Sequence, residues 1–189
     1  MITAFDTNTA LVLIDLQNSI VSSTSLAHPV DDVLNNVNEL TGVFRKKNLP
    51  VVIVNVNPKG AAWTKTRKEA KPISFPDNDD WNKITTKIHA RPNDIYITKH
   101  TWNAFFETSL HDELQKRNIT GIVIAGISTS IGVEGTARAA SELGYNISFA
   151  IDAMTDMQPL AHERSIQFIF PRMGETGSTK EIIQKLEAL

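Results

Sequence analysis

The sequence predicts a single α/β domain in which helices cover both faces of a mostly parallel β-sheet. Three observations support this fold class. Short apolar segments recur along the chain, amphipathic segments separate them, and polar residues follow directly where several of the apolar segments end. Continuous apolar segments are typical of strands that are buried on both faces. Strands that alternate with helices favour a parallel sheet with right-handed crossovers.

The predicted strands are apolar segments that stop at polar or turn-forming residues. They cover 10–14, 49–54, 95–98, 121–126 and 146–151. The first contains no polar residue and stops at Asp15, as expected of a strand covered on both faces. Asp152 is expected to end the last strand in the same way, and Lys99 follows the third.

Helices are predicted between the strands, where apolar residues recur at helical spacing. They cover 31–47, 108–117, 129–143, 160–170 and 179–189. Asp31 is the expected N-cap of the first helix, and Ser178 or Thr179 is the expected N-cap of the last. Gly144 and Pro171 are expected to end the third and fourth helices.

Residues 57–93 lack clear periodicity and are rich in Pro, Lys, Asp and Asn. An irregular stretch of this length is usually a functional loop or a lid. Trp63 and Trp81 lie within it. We interpret these tryptophans as residues of a lid or of a contact between subunits.

Composition and charge narrow the class of protein. The chain of 189 residues has the length of one domain, 1–189, with 41% hydrophobic and 21% charged residues. A net charge of -2 offers no basic surface for nucleic acid or anionic lipid. The apolar segments are too short to span a bilayer, and the N-terminus does not resemble a secretory signal. We therefore expect a cytoplasmic protein that acts on a small molecule.

The chain contains no cysteine. This excludes disulfides, thiolate metal sites and a cysteine nucleophile.

Polar residues at the strand ends provide the first functional signal. Asp15, Lys99 and the segment after Gly126 all lie at carboxyl ends of predicted strands, where parallel sheets bind ligands. Taken alone, an Asp at such a place is often a turn former, and a Lys is often solvated. An acid and a lysine at adjacent strand ends would form a charge pair over a cleft, which makes them candidates for proton transfer.

Four segments in a fixed order make the pattern more specific. The first three are 13–18, 98–105 and 126–140. The fourth begins with 152–156 and is completed by His162 and 171–174. In this order the chain resembles the isochorismatase-like family, which also contains nicotinamidases and related cysteine amidases. The resemblance extends from Ala10 to Leu189.

The resemblance implies a Rossmann-like, three-layer α/β/α sandwich with a six-stranded, mostly parallel sheet. It also implies a homo-oligomer, either a dimer or a tetramer. The hydrolases of this family use a catalytic triad of Asp, Lys and Cys. Asp15 and Lys99 match the first two, and Gly132 stands at the position of the cysteine.

The glycine at 132 changes what the resemblance implies about chemistry. Without a nucleophile the family's thioester route to amide hydrolysis is not possible. Ser128, Thr129 and Ser130 offer hydroxyls nearby, but they precede the position and are expected to line the turn and cap the following helix. The family also implies a cis peptide before this turn, here Ser128–Thr129, and an oxyanion site formed by helix-start amides.

Further residues are expected to contact the substrate or shape its pocket: Gln17, Trp102, Phe105, Ser128 and Thr129. Gln17 could equally make a structural hydrogen bond, and Phe105 could pack in the core. His100 could lie near the cleft or on the surface, and His162 is expected to cap or pack a helix.

No metal or cofactor is expected. Nicotinamidases carry an Asp-x-His…His cluster after the second strand, and the corresponding residues 55–59 include no histidine.

Two functional hypotheses remain open from the sequence. Isochorismatases proper also carry glycine at the cysteine position and cleave a vinyl ether with an acid, a role that Asp15 could fill. They have a Tyr-Ala-His-type stretch before that glycine, whereas this chain has Ser128-Thr129-Ser130, which argues against isochorismate itself. The alternative is a catalytically silent member that binds a small molecule or a protein partner. The missing nucleophile favours the alternative, and the retained charge pair favours the enzyme.

Overall fold

A computed structural model describes residues 2–23, 26–65 and 78–188. Six strands form its sheet. They are β1 (Thr9–Ile14), β2 (Val51–Val56), β3 (Ile95–Lys99), β4 (Gly121–Ile127), β5 (Asn146–Thr155) and β6 (Gly174–Gly177). Their order is β3-β2-β1-β4-β5-β6, and every neighbouring pair is parallel. The parallel sheet predicted from the alternating pattern is therefore confirmed.

The described α-helices lie between or after the strands. They are α1 (Asn18–Val21), α2 (Val30–Lys46), α3 (Leu110–Gln115), α4 (Glu134–Glu142), α5 (Pro159–Arg164) and α6 (Thr179–Glu187). None of them has the length and apolarity needed to cross a membrane.

Strand β1 shows why the sheet has two apolar faces. Its residues are all buried, and they alternate between two clusters. Leu11 and Leu13 pack with α2 and α6 on one face, whereas Val12 and Ile14 pack with α3 and α4 on the other. Side chains of successive strand residues point to opposite faces, so a strand covered on both must be apolar throughout. The three-layer arrangement is confirmed.

Two predicted element ends are wrong at the carboxyl side of the sheet. β5 continues to Thr155, so Asp152 lies within the strand and accepts hydrogen bonds from the Thr179 N–H and hydroxyl. The predicted helix 160–170 consists of α5, a π-helical turn at Ser165–Ile169 and a 3₁₀ turn, Phe170–Arg172, that includes Pro171.

The predicted helix caps have mixed outcomes. α2 begins at Val30, directly after Pro29, so Asp31 lies in its first turn and pairs with Lys87 instead of capping the helix. Ser178 caps α6 as predicted and forms a capping box with Glu181.

The irregular region contains two short 3₁₀ helices, Ala62–Lys65 and Asp80–Asn82, and residues 66–77 of it lie outside the described residues. Its second half is tied to the end of β1. Ile84 forms an antiparallel bridge with Gln17, and the Thr85 N–H donates to the Leu16 carbonyl. Residues 82–85, the 82–85 support, are thereby joined to the residues that follow β1.

Gly126 is a position where the fold needs glycine. Its φ is +127°, and a Cβ there would lie 2.2 Å from the Ile14 carbonyl oxygen of β1.

We expect Gly126→Ala to lower the free energy of unfolding by about 3 kcal/mol through strain and overpacking. Gly42→Ala is the matched control, because Gly42 lies in α2 with nothing within 4 Å. The control should gain about 0.5–1 kcal/mol. Urea unfolding measures both, and equal stability of the two variants would contradict this account.

Candidate active site

Asp15 occupies the turn at which β1 ends. Its φ is +54°, a left-handed conformation that Asp tolerates better than most residues. Its N–H donates to the Val54 carbonyl at 2.9 Å, which ties the turn to the neighbouring strand. The carboxylate is thereby held, buried, at the carboxyl edge of the sheet.

Lys99 is the last residue of β3 and reaches the carboxylate from the side. Its Nζ lies 2.8 Å from Asp15 Oδ2 and also donates to the Trp102 carbonyl at 2.6 Å. The sequence predicted that the two strands are adjacent. This prediction is wrong, because β2 lies between β1 and β3. The long lysine side chain spans that gap, and only 1% of it is exposed.

Burial dominates the electrostatics of Asp15. It raises the pKa of the carboxyl from 3.8 to about 6, although the charge and hydrogen bond of Lys99 act in the opposite direction. Asp15 Oδ1 is buried and has no hydrogen-bond partner among the described residues. Asp15 can therefore gain and lose a proton close to neutral pH.

Gly132 faces this ion pair from the turn after β4. A cis peptide joins Ile127 to Ser128, one bond earlier than the predicted Ser128–Thr129, and a π-helical turn covers Thr129–Val133. A Cβ on Gly132 would lie 2.9 Å from Asp15 Oδ2 and 3.2 Å from Lys99 Nζ. The ion pair thus lies in close contact with the position that a side chain at residue 132 would take.

A cavity of about 430 Å³ opens over the pair, and Asp15, Lys99 and Gly132 all line it. Most of its wall is apolar and consists of Ile20, Val56, Trp102, Ile127, Ile131 and Met157. Trp102 is 59% exposed and stands at the rim. A cavity of this size accommodates a small organic molecule.

The predicted substrate-contacting residues fall into two groups. Trp102 and Ser128 line the cavity. Gln17, Phe105 and Thr129 are not among its lining residues. Phe105 stacks on Tyr145, with ring centroids 5.7 Å apart, in the core beside α3 and α4.

Gln17 is buried and its amide is fully used by the backbone. Its Oε1 accepts from the Val56 N–H, and its Nε2 donates to the carbonyls of Val56 and Asn82. The side chain therefore holds the ends of β1 and β2 and the 82–85 support together. These contacts are structural hydrogen bonds, which were one of the two alternatives expected for Gln17.

Thr129 is likewise buried, and it anchors the turn that presents Gly132. Its hydroxyl donates to the Thr155 carbonyl and lies 2.8 Å from His162 Nδ1. Burial, together with His28 at a ring distance of 4.7 Å, lowers the pKa of His162 to about 4. His162 is thus neutral near pH 7, and it packs α5 against the turn.

Three amides of the turn, where the resemblance implied an oxyanion site, donate hydrogen bonds within the protein. The Ser130 N–H and hydroxyl both donate to Asp156 Oδ2 at 2.8 Å. The N–H groups of Ile131 and Val133 donate to the Ser128 carbonyl. These contacts fix the backbone around Gly132.

Several lining residues were missed by sequence reasoning. They are Ser19, Ile20, Ser22, Ser23, Val56, Thr101, Ile127, Ile131 and Met157. Most of them follow the carboxyl end of a strand within a few residues, and that position is the signal that could have found them. His100 lines a separate cavity of about 580 Å³ together with Trp63, whose Nε1 donates to the His100 carbonyl.

Comparison with known proteins identifies the family. A model of the isochorismatase domain matches residues 9–181. The isochorismatase family proteins YecD of Escherichia coli O157:H7 and YwoC of Bacillus subtilis strain 168 are each 38% identical over 185 residues, covering 94% and 95% of this chain and 96% and 94% of theirs. The structure of an isochorismatase family protein from Burkholderia thailandensis superposes with a TM-score of 0.93 at 33% identity, over 99% of this chain and 100% of that one. The chain therefore belongs to the isochorismatase family.

Proposed function

We propose that the protein is a hydrolase that acts on a small organic substrate through Asp15 and Lys99 without a covalent nucleophile. Hydrolysis of a vinyl ether fits this site best. One observation carries the proposal: Asp15 has a pKa near 6 and lies, paired with Lys99, in the wall of a cavity large enough for a substrate. An acid of that pKa is suited to proton transfer near neutral pH.

In this reaction Asp15 acts as the general acid. It donates its proton to the terminal carbon of the enol ether, and the ether carbon becomes an oxocarbenium ion. Water adds to that carbon, and its proton passes to the Asp15 carboxylate. The resulting hemiketal collapses to a carbonyl compound and an alcohol, so Asp15 ends protonated as it began.

Lys99 keeps the carboxyl in place during these steps. Its two hydrogen bonds, to Asp15 Oδ2 and to the Trp102 carbonyl, fix the position of the acid relative to the cavity. Its positive charge also limits how far burial raises the Asp15 pKa. Once the proton has left, the ionised carboxylate faces the positive intermediate in a largely apolar cavity, where electrostatic stabilisation is strong.

A binding-only role is the second candidate, and the geometry at Gly132 favours it. A Cβ at Gly132 would lie 2.9 Å from both Asp15 Oδ2 and Ile14 Cγ2, so a nucleophilic side chain fits here only if these groups shift. Turnover separates the two candidates, because a binding protein needs no proton transfer from Asp15.

Asp15→Asn should abolish proton donation while it preserves the shape of the side chain. We expect kcat for a neutral aryl vinyl ether to fall by about 10²–10⁴-fold, the usual contribution of a general acid. Isochorismate and a simple amide complete the substrate panel. Asp112→Asn is the matched control, because Asp112 lies exposed on α3, and it should leave kcat unchanged.

Removal of Asp15 alone leaves Lys99 buried without its partner, which is destabilising. The double variant Asp15→Asn/Lys99→Met removes both charges and should be folded but inactive. Unchanged turnover in Asp15→Asn would remove Asp15 from the mechanism. If the native protein hydrolyses no vinyl ether, the binding-only role is the correct one.

Because the protonated form of Asp15 is the active one in this mechanism, the reaction rate should depend on pH. With a pKa of about 6, kcat/KM should be maximal below pH 6 and fall tenfold per pH unit well above it. Lys99 lowers the pKa of Asp15, so Lys99→Met should move the midpoint to higher pH. Initial rates from pH 5 to 9 test both expectations. A flat profile across this range would contradict a general-acid role for Asp15.

Gly132→Ala tests whether the ion pair requires the absence of a side chain at residue 132. The added Cβ would press on Asp15 Oδ2 and Ile14 Cγ2, each at 2.9 Å, and we expect a loss of activity and of about 1–3 kcal/mol of stability. At Gly135 an added Cβ meets only ordinary contacts of 3.4 Å or more, so Gly135→Ala should remain active and stable.

Gly132→Cys should gain no amidase activity for the same steric reason. A gain would show that the pair can move aside and that the rest of an amidase site survives.

A further inference from the structure

The cavity wall also indicates which class of molecule binds there. We infer that the site takes an uncharged, largely apolar substrate with one or two hydrogen-bonding groups, and that it discriminates against carboxylates. The inference rests on the proposed function, because it concerns the substrate of that reaction. The class of ligand is argued from the composition of the cavity wall. Two features of the wall support it, namely its charges and its hydroxyl groups.

The charged residues of the wall, within the described chain, are Asp15 and Lys99, and they neutralise each other. A second N–H of Lys99 is held by the Trp102 carbonyl at 2.6 Å. Asp15 Oδ2 and Lys99 Nζ lie side by side, 2.8 Å apart, in the floor of the cavity. A ligand carboxylate that approaches the pair meets repulsion from one and attraction to the other over similar distances, so the floor gives it little net stabilisation.

The remaining wall opposes a charged ligand more strongly. The apolar side chains named above, Ile131 and Met157 among them, form most of the wall around the pair. An ionised carboxylate placed among them loses hydration without gaining a counter-charge. An apolar ring or chain of the same size gains from the same burial. The wall thus separates the two classes of ligand by charge.

Hydroxyl groups supply the polar contacts that a neutral ligand needs. Ser19, Ser22 and Ser23 line the cavity from α1 and the residues after it, and Thr101 and Ser128 line it from the far side. A hydroxyl can donate or accept, so these residues suit an ether, a carbonyl, a hydroxyl or an amide. They carry no charge that would favour an acid. The structure therefore assigns the site to neutral oxygen- or nitrogen-containing molecules.

Benzamide and benzoate are matched probes, because they share a ring and a planar head group and differ in charge. At pH 8 both benzoate and Asp15 are ionised, so charge states are fixed during the measurement. Calorimetric titration of the full protein should give at least tenfold tighter binding for benzamide. Equal or tighter binding of benzoate would overturn the inference, and so would the failure of benzamide to bind at millimolar concentration.

Met157→Arg places a cation in the wall and should reverse the preference. Met157 is 51% exposed, so an arginine can be accommodated at the rim. We expect benzoate affinity to rise at least tenfold, while benzamide affinity changes less. Met157→Gln is the matched neutral control and should leave the preference for benzamide intact. An unchanged benzoate affinity in Met157→Arg would show that the probes bind elsewhere, which also overturns the inference.

These titrations do not depend on turnover, so the two proposals can fail separately. A protein that prefers benzamide but hydrolyses no vinyl ether would contradict the proposed function alone. A protein that hydrolyses vinyl ethers but prefers benzoate would contradict the ligand class alone.

Discussion

The buried ion pair between Lys99 and Asp15 is the constraint to which the rest of the site is fitted. A carboxylate and an ammonium removed from water each lose hydration, and the loss is offset only when both are paired and hydrogen-bonded. Lys99 meets that condition through Asp15 Oδ2 and the Trp102 carbonyl, whereas Asp15 Oδ1 has no hydrogen-bond partner among the described residues. Burial raises the pKa of the acid to about 6 against the effect of Lys99, so its proton is exchangeable near neutral pH. Stability and the proposed reactivity therefore depend on the same pair.

Gly132 links this pair to the chemistry that the fold can perform. In the cysteine-dependent members of the family a nucleophile would stand at this position, whereas here the pair itself lies against the glycine backbone. The acid loses the thiol that it would otherwise deprotonate and faces the cavity directly. The acid and the lysine are therefore free to take the role proposed above, which needs no nucleophile at this position.

The turn that presents Gly132 is held by polar groups that do not line the cavity themselves. Asp156 binds the Ser130 amide and hydroxyl, and Thr129 joins His162 to the Thr155 carbonyl. Because buried hydrogen bonds of this kind are costly to leave unmade, the turn is kept in one conformation. The position of Gly132 against Asp15 is a consequence of that network.

The sequence by itself determined the parallel sheet, the buried strands and the two charged residues at strand ends. These features depend on local patterns: the apolar run of β1 and the polar residue directly after it are visible in adjacent letters. Only the tertiary structure showed which groups Gln17 and Thr129 bind, because their partners, Val56 and Thr155, lie 39 and 26 residues away. It also located β6, a strand of three half-buried residues and one buried glycine with no apolar run, and showed that Lys99 reaches Asp15 across β2. A side chain's partner across the fold is set by the order of the strands, and no local pattern carries that order.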